Sequence, residues 1–438
     1  MEHPSSALIV GRALVRRLFE SPTVRMVSAV SSGNLFATAI GLVVTLVQAR
    51  FVGPNDLGYL RQFGILAGYA FWVDFGLWNA LQRRYPLYIG QGRQDQAVAA
   101  AEICQAWSVS LALLAVVVSS TLTVAAFGTG NWRAGLAWMV QSVVLASSFY
   151  GGYLGATYRS GHDFTTAAKG SIISSVTGLF CLPFFPFWPY VALILRSSLG
   201  SLANLLYLHW RRPLRVRWRF RWREWFELAR EGVPLFTAGY GATGGWAVVE
   251  ATLILKCFGT RSLGLWSVGV TLLEMVNRIP QTIAAVYAPR LTEHFGRHAS
   301  VRECMRICWK PMLWAGIGIA VFTAAFIPLI PVAVRILIPK YTEAIVPMSL
   351  MMLNLPLIMF DLPNNVLIAT GCLIQQNVTV YFGMLCFVLL ALAAVHEGWG
   401  LNGIVVASIL GRMARMATTY WFIFSAVRRE ANDIVLLN

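Results

Sequence analysis

The chain has 438 residues, 57% hydrophobic and only 12% charged, and its 35 basic and 19 acidic side chains give a formal net charge of +16. Soluble domains carry about 25% charged residues, so an ordinary soluble enzyme, a disordered chain and a collagen-like repeat are excluded. Residues 26–49, 103–132, 170–195 and 362–396 each contain no Asp, Glu, Lys or Arg, and about 20 apolar residues cross a bilayer as a helix.

The expected elements follow in chain order. Residues 1–25 have no cleavable signal; a short apolar run broken by Arg12, Arg16 and Arg17 reads as a cytoplasmic amphipathic segment on the membrane surface. Six spans follow near 27–49, 58–81, 99–127, 133–157, 167–187 and 189–209, an N-lobe over 26–210. A basic inter-lobe loop covers 211–231. A C-lobe over 232–427 holds spans near 232–256, 263–288, 311–336, 344–370, 375–396 and 401–427, and 428–438 is a tail. With both termini inside, inner segments hold 24 Lys/Arg and outer ones seven, Arg61 among the latter. That asymmetry predicts an N-in, C-in multi-pass protein with an even span count. The Pro-rich 183–189 connection leaves ten or fourteen spans open. Seven scattered cysteines make no disulfide framework.

The sequence is doubled. Sliding it by 206 residues pairs Gly33 with Gly239, Gly53 with Gly259, Leu57 with Leu263, Gly58 with Gly264 and Leu66 with Leu272. The matched residues include the same loop between the first two spans of each half. Six spans per half make the copies parallel repeats about an axis along the membrane normal, where transport sites lie near the midplane between repeats. The fold class is therefore all-α and polytopic, about 12 transmembrane helices in two six-helix lobes.

The runs Ala49-Arg-Phe-Val-Gly-Pro-Asn-Asp-Leu-Gly-Tyr59 and Asp74-Phe-Gly-Leu-Trp-Asn-Ala-Leu-Gln-Arg-Arg84 resemble the opening of polysaccharide-biosynthesis membrane proteins. These are the lipid-linked oligosaccharide flippases of the multidrug/oligosaccharidyl-lipid/polysaccharide superfamily. The resemblance extends over nearly the whole chain in span count, doubling and loop pattern, and is sharpest over residues 30–95. It implies two lobes around a central cavity that opens alternately to either side. It also implies undecaprenyl-diphosphate-linked oligosaccharide as substrate, the bacterial inner membrane as location, and the polymerase and chain-length regulator of the same pathway as partners.

Charge within a bilayer costs roughly 2.5–3.5 kcal/mol per residue, so charged residues inside spans are candidates for function or paired structure. Span 8 places Glu274, Asn277, Arg278 and Gln281 on one face. Glu274 and Arg278 either neutralise each other at i,i+4 or present Arg278 to an anion. Span 12 carries Ser408, Arg412, Arg415 and Thr419 in one stripe with no acid on that helix. Guanidinium groups suit phosphate because their planar fork donates paired hydrogen bonds; the alternatives are snorkelling and pairing with another helix. Arg196 in span 6 is a further candidate for diphosphate or acidic sugar. Glu250 in span 7 and Asp361 beside Pro356 and Pro363 in span 10 join Glu274 as candidates for ion coupling or gating, with Na⁺ or H⁺ as the ion and no other cofactor expected. Asp74 reads as the holder of a turn in the family-like motif and is the fourth candidate for gating.

The run Arg215-Val-Arg-Trp-Arg-Phe-Arg-Trp-Arg223 alternates Arg with apolar residues. Between two spans it reads as an interfacial segment that binds anionic lipid rather than nucleic acid. His294, His298, Cys304 and Cys308 form two i,i+4 pairs, which read weakly as a zinc site because the loop is basic. Nucleotide-binding, serine-hydrolase, zinc-protease and Cys-x-x-Cys motifs are absent. The sequence therefore predicts a transporter, not an enzyme. A cation-coupled multidrug exporter of the same superfamily is the alternative, and a membrane-embedded enzyme or scaffold a distant third.

Overall fold

A computed structural model describes residues 22–161, 163–298 and 300–436; most of the N-terminal amphipathic segment lies outside them. The described residues form helices and turns with no strand. The N-lobe comprises α1 (Pro22–Phe51), α2 (Pro54–Ala70), α3 (Leu77–Gly90), α4 (Gln94–Gly128), α5 (Trp132–Ser160), α6 (Phe164–Phe180) and α7 (Pro189–Trp210). The C-lobe comprises α8 (Trp222–Tyr240), α9 (Trp246–His298), α10 (Val301–Phe326), α11 (Leu329–Leu337), α12 (Ile345–Met352), α13 (Asn354–Phe360), α14 (Asn364–Ala369), α15 (Leu373–His396) and α16 (Gly400–Leu436).

Each of the twelve expected spans coincides with one of these helices or a series of them. The 53 residues of α9 are two spans that meet at Gly259, whose φ of 77° no helix allows. Span 7 is α8 and the first half of α9, joined through a π-turn at Gly241–Gly245. Span 2 is broken after Asp74, where Phe75 and Gly76 are both left-handed. Span 10 breaks at Leu353 and again at Asp361–Pro363. Pro356 is the third residue of α13, just after the break at Leu353, and it has no N–H to give to the Met352 carbonyl that ends α12.

Six helical segments among the described residues are long and apolar enough to cross a membrane: 94–128, 164–184, 189–210, 301–326, 339–360 and 373–396. Their outward faces carry large apolar side chains, including Val124, Phe180, Val321 and Ile374, a surface that only hydrocarbon covers at no cost.

The repeat read from the sequence appears as a contact. At one end of the bundle α2 crosses the second half of α9 with almost no gap. A Cβ on Gly58 would stand 1.8 Å from the Thr260 carbonyl oxygen, and one on Gly264 would stand 1.9 Å from that of Pro54. Pro54 and Thr260 are themselves 206 residues apart, so a pseudo-twofold axis passes between the two glycines. Here Lys340 Nζ also donates to Phe51 O (2.6 Å) and Tyr341 OH to Val52 O (3.2 Å), tying the C-lobe to the end of α1.

The two lateral seams between the lobes differ. On one, α2 packs against the first half of α9, where a Cβ on Gly68 would stand 2.1 Å from Val248 Cγ2, and Gly76 meets Gly232. The residue 206 positions after Gly68 is Glu274. It faces a cavity instead of a neighbouring helix. At the far end of the bundle, the basic loop runs without regular structure to Arg221. Leu214 and Val216 pack under the N-lobe while Arg215, Arg217, Arg219 and Trp218 point outward. Arg84 binds Glu231 there through two hydrogen bonds of 2.8 and 2.7 Å.

Candidate functional site

A cavity of about 510 Å³ lies inside the N-lobe. Arg61 and Arg196 line it, with Gln48, Gln141, Ser174, Ser175, Ser197 and Ser201. Gly53 followed by Pro54 starts α2 early, because proline suits the first helical position. Arg61 is thereby two turns inside the helix and lines the cavity, although the charge tally counts it with the outer segments. Arg196 comes from α7 and donates to Gln48 on α1. Gln141 is buried and its Oε1 has no hydrogen-bond partner.

A second cavity of about 250 Å³ lies in the seam between α1, α6 and the second half of α9. Thr38, Ser171, Thr271, Glu274 and Arg278 line it. Gly41 and Ser175 line both cavities, which are therefore adjacent and together make a polar region. Glu274 is within electrostatic range of Arg61. Three arginines and one glutamate among the lining residues leave this space with a net charge of +2. Of the span 8 stripe, Asn277 and Gln281 do not line it.

Arg412 and Arg415 lie elsewhere, in the C-lobe, each with acidic neighbours that the sequence of α16 alone did not reveal. Arg415 donates to Asp361 of the broken span 10 at 2.5 Å. Arg412 stacks over the ring of Trp246, 4.9 Å from its centroid, and interacts with Glu250 and Asp361. Glu250 accepts from Trp266 Nε1 (2.8 Å) and Ser408 Oγ (3.1 Å), and Ser408 accepts from Trp246 Nε1 (3.0 Å). The structure thus brings Glu250, Asp361, Arg412 and Arg415 into one cluster, apart from the cavity that holds Arg61, Arg196, Glu274 and Arg278.

Asp74 is fully buried in the turn between α2 and α3. The amides of Gly76, Leu77 and Trp78 face its carboxylate, yet none makes a hydrogen bond of ordinary geometry with it. Cys304 and Cys308 are buried in α10, with Cys304 Sγ directed at Leu291 O. Among the described residues no three His, Cys, Asp or Glu side chains group as metal ligands.

The sequence profile of the family described as Polysaccharide biosynthesis protein matches residues 47–333, about two thirds of the chain. The chain belongs to that family. No curated protein matches it in sequence. Its fold is that of the MOP superfamily. One similar structure is an inward-facing multidrug resistance MATE family transporter, with a TM-score of 0.65 and 13% identity over 90% of this chain and 95% of that one. An outward-facing structure of such a transporter gives a TM-score of 0.63 and 15% identity over 94% and 98%. This polysaccharide-biosynthesis family protein therefore shares the two-lobed helical fold of these membrane proteins.

Proposed function

We propose that the protein moves an undecaprenyl-diphosphate-linked oligosaccharide from the cytoplasmic to the outer leaflet of the bacterial inner membrane by alternating access. The observation that carries this reading is the polar region whose lining includes Arg61, Arg196 and Arg278 with Glu274. A +2 cavity attracts an anion and repels a lipophilic cation, because charge in a confined, partly dehydrated space is weakly screened. Guanidinium groups hold diphosphate or an acidic sugar through paired hydrogen bonds, while Gln48, Gln141 and the four serines match sugar hydroxyls. The charge asymmetry of the loops sets both termini in the cytoplasm. The Gly58–Gly264 end is then the outer, closed end, and the seam beside Glu274 and Arg278 leads toward the cytoplasmic leaflet. The exposed Arg of the inter-lobe loop rest on anionic lipid there, and polymerase and chain-length regulator receive the product.

The test is binding by the purified protein in lipid nanodiscs. Diphosphate-linked oligosaccharide should bind, and Arg61→Ala with Arg196→Ala should weaken binding at least tenfold, the effect of about 1.4 kcal/mol. Preferential binding of lipophilic cations, unaffected by these substitutions, would support drug export instead.

A further inference from the structure

Glu250, Asp361, Arg412 and Arg415 come from α9, the break between α13 and α14, and α16, and they sit within the helices of the C-lobe. Glu250 and Arg415 are buried, and Asp361 and Arg412 are partly so. Two carboxylates and two guanidinium groups sum to zero. The set is also closed. Glu250 interacts with Arg412, Asp361 with Arg415 and Arg412, and Arg412 with Glu250, Asp361 and Arg415, and among the described residues no other charged side chain acts on Glu250, Asp361 or Arg412. The packed helix α15 has no Asp, Glu, Lys or Arg. Both Glu250 oxygens already accept hydrogen bonds, from Trp266 and Ser408. Asp361 Oδ2 is taken by Arg415, and of the four carboxylate oxygens only Oδ1 is without a hydrogen bond, as are Nε of Arg412 and Nε of Arg415. One oxygen facing two guanidinium groups does not make a site for a hard cation, which needs several oxygen ligands.

We propose that Arg412 and Arg415 are resident counter-cations, which supply to Glu250 and Asp361 the positive charge that a coupling Na⁺ or H⁺ would otherwise bring. The C-lobe is then electrically complete without an ion. Its change of conformation needs no ion to enter or leave, and translocation does not draw on a Na⁺ or proton gradient through these acids. Arg412 and Arg415 are positioning residues in this account and touch no substrate. The inference is independent of what the cavity carries.

The experiment uses full-length protein in nanodiscs and reads thermal stability, so it does not depend on the substrate. The wild type should have the same unfolding midpoint when Na⁺ replaces choline at constant ionic strength. Arg412→Met with Arg415→Met leaves two carboxylates without cations. That variant should be less stable in choline and recover several degrees when Na⁺ is added or the pH is lowered from neutrality, since a ligand that binds only the folded state raises its stability. Asp361→Asn with Arg415→Met removes one charge of each sign and should again ignore Na⁺; it carries the test where the first variant does not fold. Selective stabilisation of the wild type by Na⁺ overturns the proposal. So does a folded Arg412→Met, Arg415→Met variant that responds to neither Na⁺ nor pH.

Discussion

Replacing Gly58 by Ala perturbs the contact that closes one end of the molecule. The added Cβ would stand 1.8 Å from Thr260 O and 2.8 Å from Gly264 N, whereas a relaxed contact lies at about 3.5 Å. Both obstacles are backbone, so α2 and α9 must separate by more than an ångström. The gain of about 1 kcal/mol in helix propensity of Ala over Gly is common to every arrangement of the lobes and cancels in their ratio. The clash does not cancel, and overpacking of this kind costs about 1–3 kcal/mol. It should therefore shift the balance away from the arrangement closed at this end by about 5- to 150-fold. Gly264→Ala should act alike, because its Cβ would meet Pro54 O at 1.9 Å. Gly155→Ala is the control, with nothing within 4 Å. The assay labels Ser175→Cys, in the cavity, with a membrane-impermeant thiol reagent, after the exposed Cys257 is changed to Ser. Labelling from outside should rise in both glycine variants and stay low in the control. Equal labelling in all three would refute the idea that the glycine contact seals this end.

Lys340→Ala combined with Tyr341→Phe removes the bonds to Phe51 O and Val52 O and should raise outside labelling in the same assay, by less than Gly58→Ala. Arg84, through its hydrogen bonds, holds the Glu231 carboxyl below the ordinary glutamate value. This contribution is present above the ordinary value and is lost as pH falls through the lower folded one. Glu231→Gln should therefore cost stability at neutral pH and lose its disadvantage in acid. The pair is partly exposed, which limits the effect to about 1 kcal/mol, read as a difference in unfolding midpoint against pH. Glu250→Ala strands the Trp266 Nε1 and Ser408 Oγ donors and should cost about 1–3 kcal/mol for each left unsatisfied; Glu250→Gln, which keeps an acceptor, should cost less by thermal unfolding.

Span number and order were legible in the sequence because hydropathy is a local signal, recorded in the same twenty residues that form the helix. The doubling was legible because Gly58 and Gly264 need the absence of a side chain at a contact that both halves make. What escaped was non-local. Arg415 has no acid on its own helix, and its partner Asp361 is 54 residues away. Arg61 counts with the outer segments in the charge tally although it falls inside the expected span 58–81, and Gly53, Pro54 and Asp56 already mark a helix start two turns before it. Pro356 and Pro363 look alike in the sequence, but the breaks they accompany differ: Pro356 lies in the first turn after the break at Leu353, and Pro363 stands within the break at 361–363. Proline disfavours helical geometry in the residue before it and costs nothing in a first turn.

The central claim is that the arginine-lined cavity carries an anionic lipid-linked glycan. Its most direct measurement is the leaflet distribution of that glycan in cells depleted of the protein and complemented with wild type or with Arg61→Ala, Arg196→Ala at equal protein level. The account predicts that the glycan accumulates on the cytoplasmic face after depletion, that wild type clears it and that the variant does not. Normal export in depleted cells, or full clearance by the variant, would contradict it.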